Sequence, residues 1–219
     1  MRNITVTLSL ALALLLSGCN EVAYFFAVIA PPDVVEEVKA DYPDLPGHTV
    51  AVIVHVPDEV HYTHPTAPLE ISAIISKQLS ENVENVNTIN PYRIDKLQRE
   101  NLHWDTLPKT ELAEKLGADY VLFISVLELS TREPGSQHLY RGKITAECTL
   151  YDGSVAEVDS QVWYCSRLAS RFPPGGQFST ADSDEPIRLE TISSLAQKLA
   201  KKFYDHEIKI DGRPAEEEV

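Results

Sequence analysis

The fold class is most evident at residues 112–129, which have the sequence LAEKLGADYVLFISVLEL. Its first part is typical of a short helix that ends at Gly117, because glycine readily adopts the left-handed conformation that closes a helix. Tyr120 to Leu127 then form an almost unbroken apolar run, which indicates a strand with both faces buried. A short helix that leads into such a strand predicts a sheet covered by helices.

The segments before this stretch repeat the same alternation of strand and helix. Val50 to Val56 have a nearly continuous β-branched pattern, and VNTI at residues 86–89 predicts a second, shorter strand. Residues 65–82 between them carry an apolar stripe at helical spacing, with prolines only in the first turn. Asn90 caps a further helix that begins at Pro91. Strands that alternate with helices pair in parallel through crossover connections.

The segments that follow change character. Apolar and polar side chains alternate over residues 143–150, which predicts a strand with one polar face, and Asp152-Gly153 begins a turn into a hairpin partner. A last helix runs from Pro186 to about Glu207. The order β-α-β-α-β-β-β-α predicts the α/β class, with a single mixed sheet and helices packed on its faces. We place this domain at residues 48–208.

The core-facing side of the second hairpin strand is ambiguous in the sequence. We expect Val158, Val162 and Tyr164 to point toward the core. That orientation turns Cys165 away from the face of Cys148, so a disulfide between them would need a bulge or a register shift. The pairing of the two cysteines stays open at this point.

The N-terminus has the pattern of an export signal. Arg2 precedes an apolar run at residues 8–16, which is too short to span a membrane. The quartet LSGC, residues 16–19, follows directly and resembles the lipobox of bacterial lipoproteins, in which the cysteine is acylated and becomes the first mature residue. An ordinary cleaved signal and an uncleaved anchor are the two alternatives.

The lipobox resemblance implies a division of the N-terminal region. Residues 1–18 would be the signal peptide, and residues 19–47 would be a tether that begins at a lipidated Cys19. Asn20 directly after the cysteine resembles the sorting pattern for the outer membrane. We therefore expect a protein held on a bacterial membrane, facing the periplasm, through the acyl chains of Cys19.

The charge of the chain excludes one class of partner. The 219 residues carry a formal net charge of −14, and loss of Arg2 with the signal peptide makes the mature chain one unit more negative. Nucleic acid binding needs a basic surface, so we expect no nucleic acid partner. Residues 209–219 are acidic and proline-bearing, which predicts a solvated, disordered tail.

The helix-to-strand stretch and the hairpin together resemble a group of bacterial envelope domains. The matching positions are LGAD at residues 116–119, Leu150, Asp152 and Trp163. The group includes the curli-secretion lipoprotein, the amino-terminal domain of TolB, lipoprotein activators of penicillin-binding proteins and small neisserial-type lipoproteins. The resemblance implies a role in assembly or interaction, and it carries over no catalytic residue. The long membrane-inserting hairpins of the curli channel are not evident here.

Three histidines and two acidic residues are concentrated in the segment HVPDEVHYTHP, residues 55–65. We expect His55, His61 and His64 to lie on a solvated loop, because their spacing matches no established zinc pattern. A metal- or ligand-binding site on this loop is the alternative. The chain has no nucleophile motif and no phosphate-binding loop, so we expect neither an enzyme nor a cofactor.

Two aromatic residues are candidates for contact with a partner protein. Trp104 lies in the loop NLHWDTLP, where it either anchors the loop or forms a binding hot spot. Phe178 follows the Pro-Gly run and, with Phe172, flanks a candidate contact loop. The sequence thus predicts a lipid-anchored envelope protein that binds another envelope protein. A homo-oligomeric subunit of an export apparatus is a further alternative.

Overall fold

The computed structural model describes residues 34–136, 138–155, 160–175, 179 and 183–210. These residues belong to two compact units. One unit comprises the described residues up to Val38 and from Glu207 onward, and the other runs from Lys39 to His206. Cys19, Val158 and Phe178 lie outside the described residues.

The described elements alternate between strand and helix and then end in a long hairpin and a final helix and strand. In chain order they are β1 Val34–Val38, β2 Thr49–His55, α1 Asp58–Thr63, α2 Ala67–Asn82, β3 Asn87–Thr88, α3 Pro91–Glu100, α4 Lys109–Leu116, β4 Tyr120–Arg132, β5 Tyr140–Asp152, β6 Gln161–Phe172, α5 Glu185–Ala200 and β7 His206–Ile210. Short 3₁₀ turns lie at Trp104–Thr106 and Lys201–Phe203.

The main sheet has five strands in the order β3-β2-β4-β5-β6. Strand β2 pairs in parallel with β3 and β4, whereas β4, β5 and β6 are successively antiparallel. The predicted α/β class with one mixed sheet and helices on its faces is confirmed. Strands β1 and β7 form a separate two-stranded sheet that the sequence analysis did not predict.

Helices cover both faces of the parallel half. On one face, α2 and α5 contribute Ile75 and Leu195 to a core cluster that includes Val52 of β2. On the other face, Ile94 of α3 and Leu112 of α4 pack in a second cluster. Burial on both sides explains why β2 and the first part of β4 are continuously apolar in sequence.

Helix α4 ends as its sequence predicted. Gly117 has φ +64° and ψ +42°, the left-handed conformation, and the amide of Ala118 donates to the carbonyl of Ala113 at 3.0 Å. Asp119 then accepts a hydrogen bond from the amide of Thr49 at 2.7 Å. This contact fixes the start of β4 beside the start of β2.

The face of β6 differs from the expectation. Val162 and Tyr164 are 37% and 48% exposed, so the prediction that they point into the core was wrong. Trp163 packs against the main core instead, with its ring 5.0 Å from that of Phe203. Cys165 packs against the same cluster.

The physical reason for this reversal is an irregular register. The pairing of β5 with β6 shifts between Ala146 and Cys148 and again between Leu150 and Tyr151. Each such bulge changes which residues of a strand face the core. A count of alternating residues in one strand contains no information about these shifts.

The larger unit begins at Lys39, and within it Leu45 is fully buried and Tyr42 packs against the core. The expected loop after β2 contains helix α1. Within the described ranges, none of the helices is both long and apolar enough to cross a membrane.

Candidate functional site

Trp104 is held in place by packing. Its ring centroid lies 6.1 Å from that of His55 at the end of β2 and 6.3 Å from that of Phe123 in β4. The Nζ of Lys109 lies 4.7 Å above the Phe123 ring and donates to the carbonyl of Asp105 at 3.2 Å. The half-buried Trp104 therefore fixes the loop after α3 against the sheet.

The exposed apolar residue of this loop is Leu102, which was not among the residues predicted from the sequence. It is 85% exposed, two residues before the anchored tryptophan. The order of the two residues in the loop gave no indication of which one would face solvent. Anchoring by Trp104 leaves Leu102 presented on a supported loop.

The three histidines of the 55–65 segment do not converge. His55 contacts Trp104, His61 is exposed on α1, and the half-buried His64 caps the end of α1 beside Asp184. Among the residues that the structure describes, no three His, Cys, Asp or Glu side chains lie close enough to hold a metal ion.

His64 belongs to a polar network that joins α2 to the start of α5. Arg188 donates from Nε and from a terminal nitrogen to the two carboxylate oxygens of Glu70, at 2.8 and 3.2 Å. Thr66 donates to Glu70 at 2.8 Å. Asp184 lies 3.8 Å from the His64 ring nitrogen and 3.9 Å from Arg188. The network fixes the two helix starts relative to each other.

The network shifts the pKa values of His64 and Glu70. Burial lowers the pKa of His64, the positive charge of Arg188 lowers it further, and attraction to Asp184 opposes both effects. Burial by itself would raise the pKa of Glu70, but hydrogen bonds from Arg188 and Thr66 outweigh burial and bring it below its ordinary value. Glu70 and Arg188 therefore form a stable ion pair at neutral pH.

A groove of about 640 Å³ lies beside this network. It occurs where β4 extends beyond β2, because β2 pairs with β4 only as far as Ser125 and β4 continues to Arg132. Its lining combines apolar and polar side chains from α1, β4 and the start of α5. They include Val60, His64, Leu127, Leu129, Thr131 and Asp184.

A second surface, which we call the outer face, is the side of β4, β5 and β6 opposite α5. The sheet register places Phe123, Thr149 and Tyr164 in one row across the three strands. Because Trp104 packs on Phe123, this row leads from the anchored loop to the exposed Tyr164. The helices α3 and α4 pack against β2 and the start of β4, and Tyr164 stays half exposed.

The outer face ends in a basic groove of about 270 Å³. Among the residues that the structure describes, its lining includes four basic and two acidic side chains: Arg132, Arg141, Lys143, Arg171, Glu128 and Glu133. Lys143 pairs with Glu128 at 2.7 Å, and Arg141 lies 3.7 Å from Glu133. The groove therefore has a local excess of positive charge in a chain of net charge −14.

This groove was not predicted from the sequence. Its signal was present in β5, where Arg141 and Lys143 are two residues apart and hence on the same face. The partners of these residues come from β4 and β6, so only the register brings the cluster together. Lys143, for example, is opposite both Ser130 and Arg171.

Comparison with known proteins gives similar structures but no family. No protein-family model matches the chain, and no curated protein matches it. The solved structures that it resembles include the PelC dodecamer of Paraburkholderia phytofirmans, with 14% identity, a TM-score of 0.44, and coverage of 76% of this chain and 96% of that one.

Two further similar structures are lipoproteins. GNA1162 of Neisseria meningitidis is 16% identical with a TM-score of 0.43, covering 70% of this chain and 98% of that one. A minor lipoprotein of Acinetobacter baumannii is 11% identical with a TM-score of 0.35, covering 70% and 90%. The resemblance to bacterial lipoproteins is thus found at low identity, and scores this low assign no function.

Proposed function

We propose that this chain is a lipid-anchored protein of the bacterial cell envelope whose α/β domain binds an acidic protein partner and has no catalytic role. Its binding would assist assembly, secretion or regulation of other envelope components. The lipobox at residues 16–19 supports the anchor, since acylation of Cys19 would hold the mature chain on a membrane, most simply the outer one.

The observation that carries the binding proposal is the basic groove on the outer face. A strongly acidic chain would repel an acidic partner over most of its surface, but the groove reverses the sign of the charge locally. Charge complementarity of this kind steers association and fixes the orientation of the partner. The exposed Tyr164, together with Trp104 where it packs on Phe123, would add the aromatic contact area that is common at interfaces.

The proposal gives Trp104 a supporting role and Leu102 the direct contact. Trp104 would hold the loop, and Leu102 would touch the partner. Phe178 remains a proposed contact residue on the basis of its sequence context alone. A homo-oligomer is the competing possibility, because the acidic remainder of a second copy also complements the basic groove.

The experiment is photocrosslinking in living cells with a photoreactive residue at Tyr164, at Leu102 or at Phe178. Tyr62 on α1 is the matched control, since it is 89% exposed and is not among the described residues that line the basic groove. We expect one envelope protein with an acidic surface, identified by mass spectrometry, to be captured from Tyr164 and Leu102 but not from Tyr62. Equal capture at all positions would contradict the proposal.

Two further measurements separate the alternatives. Fractionation of Cys19→Ala cells tests the anchor, and we expect this variant to leave the membrane fraction. Light scattering of the purified protein, together with crosslinks between copies of the chain, tests the oligomer. A ring of many copies would favour an export apparatus over binding of a different protein.

A further inference from the structure

Cys148 of β5 and Cys165 of β6 are directly opposite each other in the sheet register. Opposed residues of antiparallel strands have Cα atoms about 4.5–5.5 Å apart. Disulfides span Cα separations of about 4.4–6.8 Å. The register of the hairpin therefore places the two residues within the range of Cα separations that a disulfide spans.

The two side chains also lie on the same side of the sheet. Cys148 is fully buried in the main core cluster, and Cys165 packs against that cluster. Burial raises the pKa of the Cys148 thiol, and the nearby Cys165 raises it further. The register shift between Ala146 and Cys148 thus brings together the cysteines that regular alternation was expected to separate.

The number of cysteines would allow each of these two thiols only one partner within the mature chain. The chain has three cysteines, and acylation would consume Cys19. Cys148 and Cys165 would then be the only thiols of the mature protein, so no incorrect pairing within the chain could compete. Both are in the thiol form in this structure.

We propose that Cys148 and Cys165 form a structural disulfide when the chain is exported into an oxidising compartment. This inference rests on the export step of the proposed function. The bond would join the centre of β5 to β6, the edge strand that carries Tyr164 and Arg171 of the outer face. It would therefore fix the strand that presents the binding surface.

The reaction is an exchange with the disulfide of a thiol oxidoreductase in that compartment. Cys165, the more exposed thiol, loses its proton and attacks the donor disulfide, forming a mixed disulfide and releasing one donor thiolate. Cys148 then loses its proton and attacks the Cys165 sulfur, which releases the second donor thiolate. The two thiols are oxidised to one disulfide, and the donor disulfide is reduced to a dithiol.

The experiment counts free thiols in the full-length protein isolated from cell membranes. Cells are quenched in acid, the protein is unfolded and labelled with a maleimide, and the intact mass is measured before and after reduction. We expect no label before reduction and two labels after it. Cys148→Ala and Cys165→Ala should each give one label in both samples, which shows that the two residues are partners.

The count separates failure of the disulfide from failure of the anchor. An unmodified Cys19 would add one label to both samples without affecting the pair. Two labels before reduction, both in the cell sample and after incubation of the folded protein with oxidised glutathione, would overturn the pairing. Three labels in cells, from Cys19 and both members of the pair, but only one after glutathione treatment would support the pairing and overturn the export on which it depends.

A stability measurement provides an independent check. Reduction should lower the Tm of the wild type by roughly 5–10 °C, the effect expected when a loop of this size is no longer closed. The Tm of a variant with both cysteines replaced by alanine should not respond to reductant. An unchanged wild-type Tm would show that the bond adds nothing to the fold.

Discussion

The parallel and antiparallel halves of the main sheet differ in how they are covered. Strand β2 and the start of β4 lie between helices on both faces, with Ile53 and Val52 fully buried on opposite sides. The hairpin of β5 and β6 has α5 on one face, and Tyr164 stays half exposed on the other. The parallel half is therefore buried on both faces, whereas the hairpin leaves one face open to solvent, where the proposed binding surface lies.

The largest effect should come from the parallel half. Ile53→Ala removes a fully buried side chain from the cluster under α3 and α4, and we expect the free energy of unfolding to fall by about 3 kcal/mol. Val162→Ala on the exposed side of β6 is the control, with an expected loss within about 0.5 kcal/mol. Urea denaturation of both variants measures the difference. Equal losses would contradict the division into two halves.

The covered face of the hairpin should be nearly as sensitive. A Cβ at position 142 would collide with the Oγ1 of Thr191 and lie 2.9 Å from its Cβ, so Gly142→Ala forces β5 and α5 apart. We expect a loss of about 2 kcal/mol. Combining it with Thr191→Ala should recover part of this loss, and a double-mutant cycle measures the coupling. Strict additivity would show that this contact is not the cause.

The free energy of unfolding should depend on pH through His64, which lines the groove beside α1. The pKa of His64 is lowered in the folded protein, so the unfolded chain takes up the proton first as the pH falls below 6.5. The free energy of unfolding should decline in that window and level off once folded His64 is also protonated. His64→Gln should flatten this part of the profile, whereas His61→Gln on the exposed side of α1 should not. Identical profiles for all three proteins would refute the assignment.

The smallest effect on stability is expected at the proposed binding surface. Tyr164→Ser removes a side chain that is half exposed, and the free energy of unfolding should change by no more than about 0.5 kcal/mol. Capture of the partner from a photoreactive residue at Leu102 should nevertheless fall severalfold. A large loss of stability with normal capture would mean that Tyr164 serves the fold and not binding.

The parallel half and the hairpin also differ in how much of their structure could be predicted from the sequence. In the parallel half the signals are local: a β-branched run predicts β2, and Gly117 predicts the end of α4. In the hairpin, the side of the sheet on which Val162 and Cys165 lie depends on bulges in the pairing of β6 with β5. The sequence of one strand alone does not predict these bulges. The pairing of β1 with β7 and the basic groove likewise arise from residues distant in the chain.

Some features of the candidate site could likewise be predicted from the sequence, whereas others depend on the tertiary structure. Trp104 could be identified from sequence as an unusual loop residue, but its packing on Phe123 and the exposure of Leu102 required the tertiary structure. The histidines of the 55–65 segment are close in sequence, yet helix α1 separates their environments. Closeness along the chain was therefore a poor guide to closeness in space.

Recognition of the partner by the basic groove is best tested by crosslinking from position 164 in cells that express the Arg171→Glu variant. Reversing one charge in the basic groove should reduce capture of the acidic partner at least tenfold while leaving the Tm within a few degrees of the wild type. Lys77→Glu on α2 makes the same change of net charge away from the outer face and should leave capture intact. Undiminished capture in the Arg171→Glu variant would contradict the claim that this groove recognises the partner.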